Sequence, residues 1–529
     1  MKRTYLFMRA FTTVSSLTMV SRLIGLLRDI LFAAYLGAGI VADAFLIAFL
    51  FPNIFRRLFA EGAFTAGFVP LFNSVLKKSG EEEAIRFVEE VFSLLVCILL
   101  VFISIIIIAM PLLIIIIAPG FLSIPNQIEY TTELARITFP YLFFISLVSL
   151  QSGVLNAFGK FAAAASTPII LNVTLILSLV FAIMNNFNIA ITLCWGLLIT
   201  GLFQFLWLYK FLRNLGISIK FIRPRFTQRI QVLLKKILPL AFGAGLYQIN
   251  LIVDKLIATL VSAGAVSWLY FADRVNQLPI GVVGVGIGVA LLPLLSQKIQ
   301  SGEAEQALES QNRAIELGLM LSIPASIGIF ILSFPIISTI FERGLFSSLD
   351  RDAVATALIA FSSGLPAYIL IKAIVPGFFS RHDTSTPFKV AALCMVVNIL
   401  LNIILMYPFG HVGIALATSL SSWLNAILLA FILNKRKQLI LDDRFYYRVP
   451  RIIFSSAVMG GVVFLSLKYF LSEFGIFYDI NNPMLIDEFR RTLLLILLIL
   501  IGLISYASSL ILTGGLNMNE FKNLTARNK

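Results

Sequence analysis

Apolar runs of 18 or more residues recur along the whole chain, separated by short clusters of Gly, Pro, Asn and charge. Each run is long enough to cross about 30 Å of hydrocarbon as a helix. Inside lipid the backbone must satisfy its own polar groups, which a helix does within a single segment. The breaks divide the sequence into about fourteen segments, near 13–36, 43–76, 88–117, 131–158, 162–184, 188–212, 234–261, 266–297, 313–340, 353–378, 386–407, 411–434, 450–472 and 491–513. The pattern predicts an all-α polytopic membrane protein. The second and eighth segments are long and interrupted, at Pro52 and at Pro279 with its following glycines, so each is expected to bend. The first segment exceeds a signal-peptide h-region and carries Arg22 and Arg28, so it is expected to remain in the mature chain.

Composition agrees with lipid as the solvent. The 529 residues are 59% hydrophobic and only 13% charged, which rules out a water-soluble enzyme. Cys97, Cys194 and Cys394 stand singly in apolar runs, so neither a disulfide framework nor a metal-ligand cluster is expected. The net charge of +14 would suggest nucleic acid, but its positions give another reason for it. Lys and Arg collect in alternate connections: Lys2 to Arg9, Lys77–Lys78, Lys160, the Lys210–Lys236 linker, Lys298, Arg381 and the Lys435–Arg451 linker. The connections near 37–41, 119–130, 185–188, 262–265 and 408–410 have none; Arg343, Arg351 and Arg490–Arg491 are minor exceptions. Positive charge marks the cytoplasmic side, so both termini are expected there and no nucleic-acid partner is implied. The two long basic linkers can meet anionic headgroups of membrane lipids.

The chain also repeats itself. Asp29 falls on Asp254, Ala38–Gly39 on Ala263–Gly264 and Val41 on Val266 at an offset of 225. Pro70–Leu71 falls on Pro293–Leu294 at 223, Ser79–Gly80–Glu81 on Ser301–Gly302–Glu303 at 222, and Thr167–Pro168 on Thr386–Pro387 at 219. Six spans separate equivalent positions, so the halves share one membrane orientation. The expected organisation is a first six-helix lobe at 1–218, a second at 219–435, and two further helices with a tail at 436–529. Such architectures place a cavity between lobes that rock against each other.

Several charges stand where apolar residues are expected. Arg22 and Arg28 lie in the first segment, Arg56 and Arg57 in the second and Arg274 in the eighth. Arginine at the bilayer centre costs roughly 2.5–3.5 kcal/mol on insertion scales, so it normally faces a cavity or a partner. Helical rise places Arg28 and Arg274 about 12 Å below the outer ends of their segments, with Arg22 and Arg56 about 20 Å below theirs. Arg22 and Asp29 share a stripe, while Arg28 points about 100° away from Asp29 and is the harder to neutralise. Asp43 shares a stripe with Arg57, and Asp273 cannot face Arg274 along a helix. Two readings follow. Either the arginines pair with Asp29, Asp43, Asp273 and Glu61 to lock helices together, or Arg28, Arg56 and Arg274 are left over to line a wet cavity and hold an anion. Guanidinium suits the second role, because its planar fork grips phosphate oxygens and keeps its charge.

These residues also sit in recognisable motifs. Ser21-Arg22-Leu23-Ile24-Gly25-Leu26-Leu27-Arg28-Asp29, Ala42-Asp43-Ala44-Phe45 and Pro52-Asn53-Ile54-Phe55-Arg56-Arg57-Leu58-Phe59-Ala60-Glu61-Gly62 closely resemble the MurJ (MviN) lipid II flippases of bacteria. Ser267-Trp268-Leu269-Tyr270-Phe271-Ala272-Asp273-Arg274 and Pro376-Gly377-Phe378-Phe379-Ser380-Arg381 match the same family. The resemblance implies the MOP exporter superfamily and transfer of the undecaprenyl-linked peptidoglycan precursor from the inner to the outer leaflet of the bacterial cytoplasmic membrane. It implies cavity roles for Arg22, Arg28, Arg56 and Arg274, importance for Asp43, and a lipid-tail groove at the last two helices. An acid common in the family three positions after Arg274 is Gln277 here. Some members carry a sodium site whose ligands fall on Asp254, Asn398, Asn402 and Thr418, with Asn402 replacing a carboxylate; a polar cluster between helices is the alternative reading.

The resulting expectation is a flippase, not an enzyme, working as a monomer on a diphosphate-linked lipid. No bound cofactor is implied, and a sodium ion or the membrane potential would drive the cycle, each elementary charge moved being worth about 2.3 kcal/mol per 100 mV. No phosphate-cradling ATP motif is present. The competing readings are an exporter of drugs or other oligosaccharide-lipids on the same plan, a membrane enzyme and a non-transporting scaffold. Drug exporters call for acidic or aromatic cavities, and an enzyme would have only His382 and His411, near opposite membrane faces, for imidazole chemistry.

Overall fold

The computed structural model describes residues 2–60, 63–474 and 485–516, and among them the chain is helix and turn with no strand. In chain order the helices are α1 (Lys2–Leu36), α2 (Ile40–Ala60), α3 (Ala63–Ile117), α4 (Gln127–Thr138), α5 (Tyr141–Ala157) and α6 (Phe161–Ala165). Next come α7 (Thr167–Met184), α8 (Ile189–Asn214), α9 (Gln228–Val261), α10 (Ala265–Pro279) and α11 (Val285–Gln300). The last are α12 (Ala304–Phe341), α13 (Ser348–Ser363), α14 (Leu365–Phe379), α15 (Ser385–Lys435), α16 (Asp443–Phe474) and α17 (Leu485–Leu512). A 3-10 turn at Pro119–Ser123 precedes α4, and a π-helical turn at Ile280–Gly284 joins α10 to α11. That turn begins directly after Pro279, where the eighth segment is expected to bend.

Among the described residues nine helical stretches are long and apolar enough to cross a membrane, and the chain is a multi-pass membrane protein. Two of them, Gly67–Ile117 and Ser385–Lys435, run for 51 residues. A straight helix of that length would measure about 77 Å, more than twice a hydrocarbon core. Each is broken at one glycine, Gly80 at φ 86° and Gly410 at φ 55°. L side chains avoid that region, so glycine is what lets the chain reverse there. Behind the second break, a Cβ on Gly413 would collide with the carbonyl of Leu405, so the hairpin closes only around glycine. Gly80 and Gly302, paired by the internal repeat, both adopt left-handed φ, 86° and 77°.

Packing divides the chain into two compact units, Met1–Ser267 and Trp268–Lys529. In the first, α5 is central and packs on α2, α3 and α8. Its core includes a ladder of Phe68 stacked on Phe72 and Phe87, all fully buried. The helix α9 packs on α2, α3 and the 3-10 turn, so this division differs from the repeat's 218/219 boundary by one helix. Gly120 of that turn meets the backbone of Thr259 so closely that no Cβ fits, and its N–H donates to Thr259 Oγ1 at 3.3 Å.

In the second unit α12 is the axis, contacting α11, α13, α14, α16 and α17. Leu332 of α12 joins Ile452, Met459, Val463, Leu495 and Leu498 in one apolar cluster. Ion pairs hold α12 near both ends. Glu316 is buried and takes Arg448 of α16 at 2.6 Å, with Arg444 at 3.4 Å and Arg313 alongside. Glu342 takes Arg351 at 3.0 Å and Arg491 of α17 at 3.7 Å. The start of α13 carries a capping box between Ser347 and Asp350, and Asp350 Oδ1 also accepts the Trp268 indole N–H at 2.8 Å.

Candidate functional site

In the first unit the arginines separate into different environments. Arg28 is 4% exposed, and its Nη2 stands 2.6 Å from Asp29 Oδ1. This corrects the expectation that Arg28 is the harder one to neutralise. The 100° step between neighbours separates their Cα–Cβ directions, but the long arginine stem spans it. The same guanidinium donates through Nη1 to Asn172 Oδ1 at 2.9 Å and lies 5.4 Å from the centroid of Phe32. Asn172 in turn donates to the carbonyl of Ser21 at 2.9 Å. Ser21, Gly25 and Arg28 form one stripe of α1, and glycine at its middle admits the amide of α7. Arg28 and Asp29 thus join a polar seam, while Arg22, on another face, is exposed.

Arg56 is half-buried, and its Nε and Nη2 both approach Asn53 Oδ1, at 3.3 and 3.1 Å. Arg57 is also half-buried, and Glu61 lies outside the described residues. Asp43, expected on a stripe with Arg57, has other partners. Its carboxylate is 1% exposed and accepts the backbone N–H of Gly264 at 2.7 Å and of Ser267 at 2.8 Å, together with the Ser267 hydroxyl. Asp43 therefore satisfies the amides that open α10, which an anion does well at a helix N-terminus. Residue spacing within α2 could not reveal a partner more than 220 residues away.

In the second unit Arg274 donates to the Tyr270 hydroxyl at 3.0 Å and lies 4.9 Å from that ring's centroid. Asp273 takes the side-chain amide of Gln277 one turn on. The Tyr270 partner is the i, i+4 neighbour on the face that an aromatic ring and a guanidinium can share.

Three of the four residues implied as sodium ligands meet in the second unit. Asn402 Nδ2 donates to Asn398 Oδ1 at 3.1 Å, and Asn398 Nδ2 lies 3.5 Å from Thr418 Oγ1. Both asparagines are buried in the first half of α15, and the Asn398–Thr418 contact joins that half to the second across the Gly410 turn. Asp254, on α9 of the first unit, accepts from Asn250 at 3.2 Å. The three side chains are neutral, and the Thr418 hydroxyl also donates to the carbonyl of Ile414 at 3.0 Å, an arrangement of the kind a polar cluster between helices makes. Among the described residues no group of three His, Cys, Asp or Glu side chains converges as a metal site.

Two features escaped the sequence reading. The Glu316 cluster looks like ordinary helix-face charge in sequence, and only its burial marks it. Lys372 did leave a signal, as the one charged residue of α14. It is exposed and packs across the glycines at 284 and 288.

The fold defines a class, the two-unit all-helical multi-pass membrane proteins. The solved "Inward-facing conformation of a multidrug resistance MATE family transporter of the MOP superfamily" is similar over 81% of this chain and 98% of that one, with TM-score 0.67 and 16% identity. At that identity the likeness shows the fold. The solved "Lipid II flippase MurJ, inward closed conformation" is nearer, with TM-score 0.78 and 28% identity over 94% of this chain and 97% of that one. Residues 32–482 match the family "Lipid II flippase MurJ", and the chain belongs to it. The Rhizobium tropici protein named "Probable lipid II flippase MurJ" is 43% identical over 466 residues, 87% of each chain. The Vibrio cholerae protein of the same name is 34% identical over 512 residues, 95% of each.

Proposed function

We propose that this protein is a flippase that carries lipid II, the undecaprenyl-diphosphate-linked peptidoglycan precursor, from the inner to the outer leaflet of the bacterial cytoplasmic membrane. Membership of the family over residues 32–482 carries the reading. The chemistry supports it, because arginines stand on α1, α2 and α10, which this reading takes across the membrane, and a diphosphate offers several oxygens to such groups. Arg22, Arg56 and Arg274 are the anion contacts in this reading. Arg28 and Asp29 hold α1 to α7, so Arg28 sets the position of that face, and Asp43 fixes the start of α10.

Fourteen spans cross the membrane in this reading, with both termini cytoplasmic. The break at Gly410 divides one 51-residue stretch into two spans, the break at Gly80 assigns the start of α3 to the span of α2, and α1, α2, α9 and the α10–α11 pair add the more polar spans. The cycle is alternating access by a monomer. The diphosphate and sugar-peptide head occupy the cationic cavity while the polyprenyl tail stays in lipid. The membrane potential helps return the empty, positively charged site, and no step is routed through sodium. An exporter of cationic drugs is disfavoured, since guanidinium groups repel cations.

A leaflet-accessibility assay tests the function. Depleting the protein should leave lipid II inaccessible at the outer leaflet, and re-expression should restore it. Unchanged access during depletion would overturn the reading.

A further inference from the structure

One charge of the second unit has no place in the site described so far. Lys372 lies on α14, seven residues and about 10 Å before that helix ends at Phe379. Two-thirds (67%) of the apolar part of the α13–α14 span is buried, yet Lys372 is exposed. No ion pair or hydrogen bond of its side chain occurs among the described residues. An ammonium on a membrane-spanning helix needs water or an anion beside it, and a lysine near a helix end commonly snorkels to the near interface.

The packing of Lys372 runs the other way. Its backbone oxygen faces Gly288, 3.9 Å from where a Cβ would stand, and its Cγ lies 3.5 Å from the same point on Gly284. Gly284 is one turn N-terminal to Gly288, and α11 and α14 are parallel because α12 reverses the chain between them. The stem therefore climbs toward the N-terminal ends of both helices, the end where Arg274 stands, and away from Phe379. Cβ geometry favours that direction.

A second polar group stands at the same level. Pro376 is four residues beyond Lys372 and has no N–H, so it cannot supply the helical hydrogen bond that the Lys372 carbonyl would otherwise accept. A proline in a membrane helix is tolerated where the freed carbonyl finds another donor, and water in a cavity is one.

We infer that Lys372 is an anion-binding residue of the transport pathway. It meets the substrate's diphosphate about 15 Å beyond Arg274 along the α10–α11 direction, ten residues of rise. The inference rests on the flippase reading and adds a second cationic level to this unit. A compact ammonium suits the role because it holds phosphate as a point charge and lets it leave without a bidentate grip.

The test is binding of undecaprenyl diphosphate, with undecaprenol as the uncharged control, to purified full-length protein carrying Lys372→Gln, Lys372→Arg or Arg274→Gln. Lys372→Gln should weaken diphosphate binding roughly tenfold, leave the alcohol unchanged and lower the salt dependence, with Lys372→Arg near wild type. A Lys372→Cys variant should also react with a charged, membrane-impermeant thiol reagent, which a lipid-facing or merely structural residue would not do. Wild-type diphosphate binding in Lys372→Gln alongside a loss in Arg274→Gln overturns the inference and leaves the flippase reading standing. Wild-type binding in both variants overturns both.

Discussion

The guanidinium of Arg28 donates to the Asn172 side-chain oxygen at 2.9 Å, joining α1 to α7 across 144 residues of sequence. With Asp29 as a further partner, a buried cation is neutralised in place and the first helix is fixed to the rest of its unit. Arg28 acts through that seam.

Asn172→Ala should therefore destabilise the protein by about 1–3 kcal/mol, since a charged donor loses its partner and the Ser21 carbonyl loses a donor. Thermal unfolding in detergent measures this. A change below about 0.5 kcal/mol would mean that the seam contributes little.

Glu316 makes a matching prediction in the second unit. Its removal by Glu316→Ala leaves Arg448, itself buried, without its 2.6 Å partner. Breaking a buried pair costs about 3–5 kcal/mol, whereas replacing both partners by apolar groups costs far less. Glu316→Leu combined with Arg448→Leu should therefore unfold closer to wild type than Glu316→Ala does, and proteolysis of Glu316→Ala should begin in α16.

Gly120→Ala should displace the 3-10 turn from α9, because its Cβ would overlap the Thr259 carbonyl. Overpacking of this kind costs about 1–3 kcal/mol. Gly39→Ala is the control, with open space around its Cβ. Equal melting temperatures for the two variants would contradict the close approach.

Asp383, in the turn between α14 and α15, supplies a pH signature. Hydrogen bonds from the Thr386 hydroxyl and backbone N–H, then from Arg436, hold its carboxyl down to about 2. The folded value lies below the ordinary value near 3.9, so its contribution is complete above about pH 4 and is lost as pH falls toward 2. The stability gap between wild type and Asp383→Asn should be constant above about pH 5 and close on acidification. A gap that widens as pH falls would refute the assignment.

Much of this architecture is legible in the sequence, because lipid enforces long apolar helices and glycine and proline mark their breaks. Pro279 announces a bend, which the structure makes as a π-helical turn, and the two glycines that the repeat pairs, Gly80 and Gly302, share a positive φ. The arginines are legible as anomalies; their partners are less so. Helical faces say which Cβ atoms align, but Arg28 reaches around its helix to Asp29, and Asp43 is satisfied by backbone amides at 264 and 267 that no side-chain pattern encodes. Glu316 is hidden for a related reason, since burial depends on α16 arriving from more than 120 residues away. Lys372 was readable as a lone charge in an apolar helix, but its direction required the glycines of another helix.

The central claim is that intramembrane cations carry the diphosphate head across the bilayer. The most direct measurement is the rate at which lipid II becomes accessible at the outer leaflet in cells depleted of the wild-type protein and expressing Arg22→Gln, Arg56→Gln or Arg274→Gln at matched membrane levels. Loss of a charge-assisted contact of about 1.5–3 kcal/mol predicts a fall of roughly ten- to a hundredfold for each variant. Wild-type rates in all three folded variants would contradict the account.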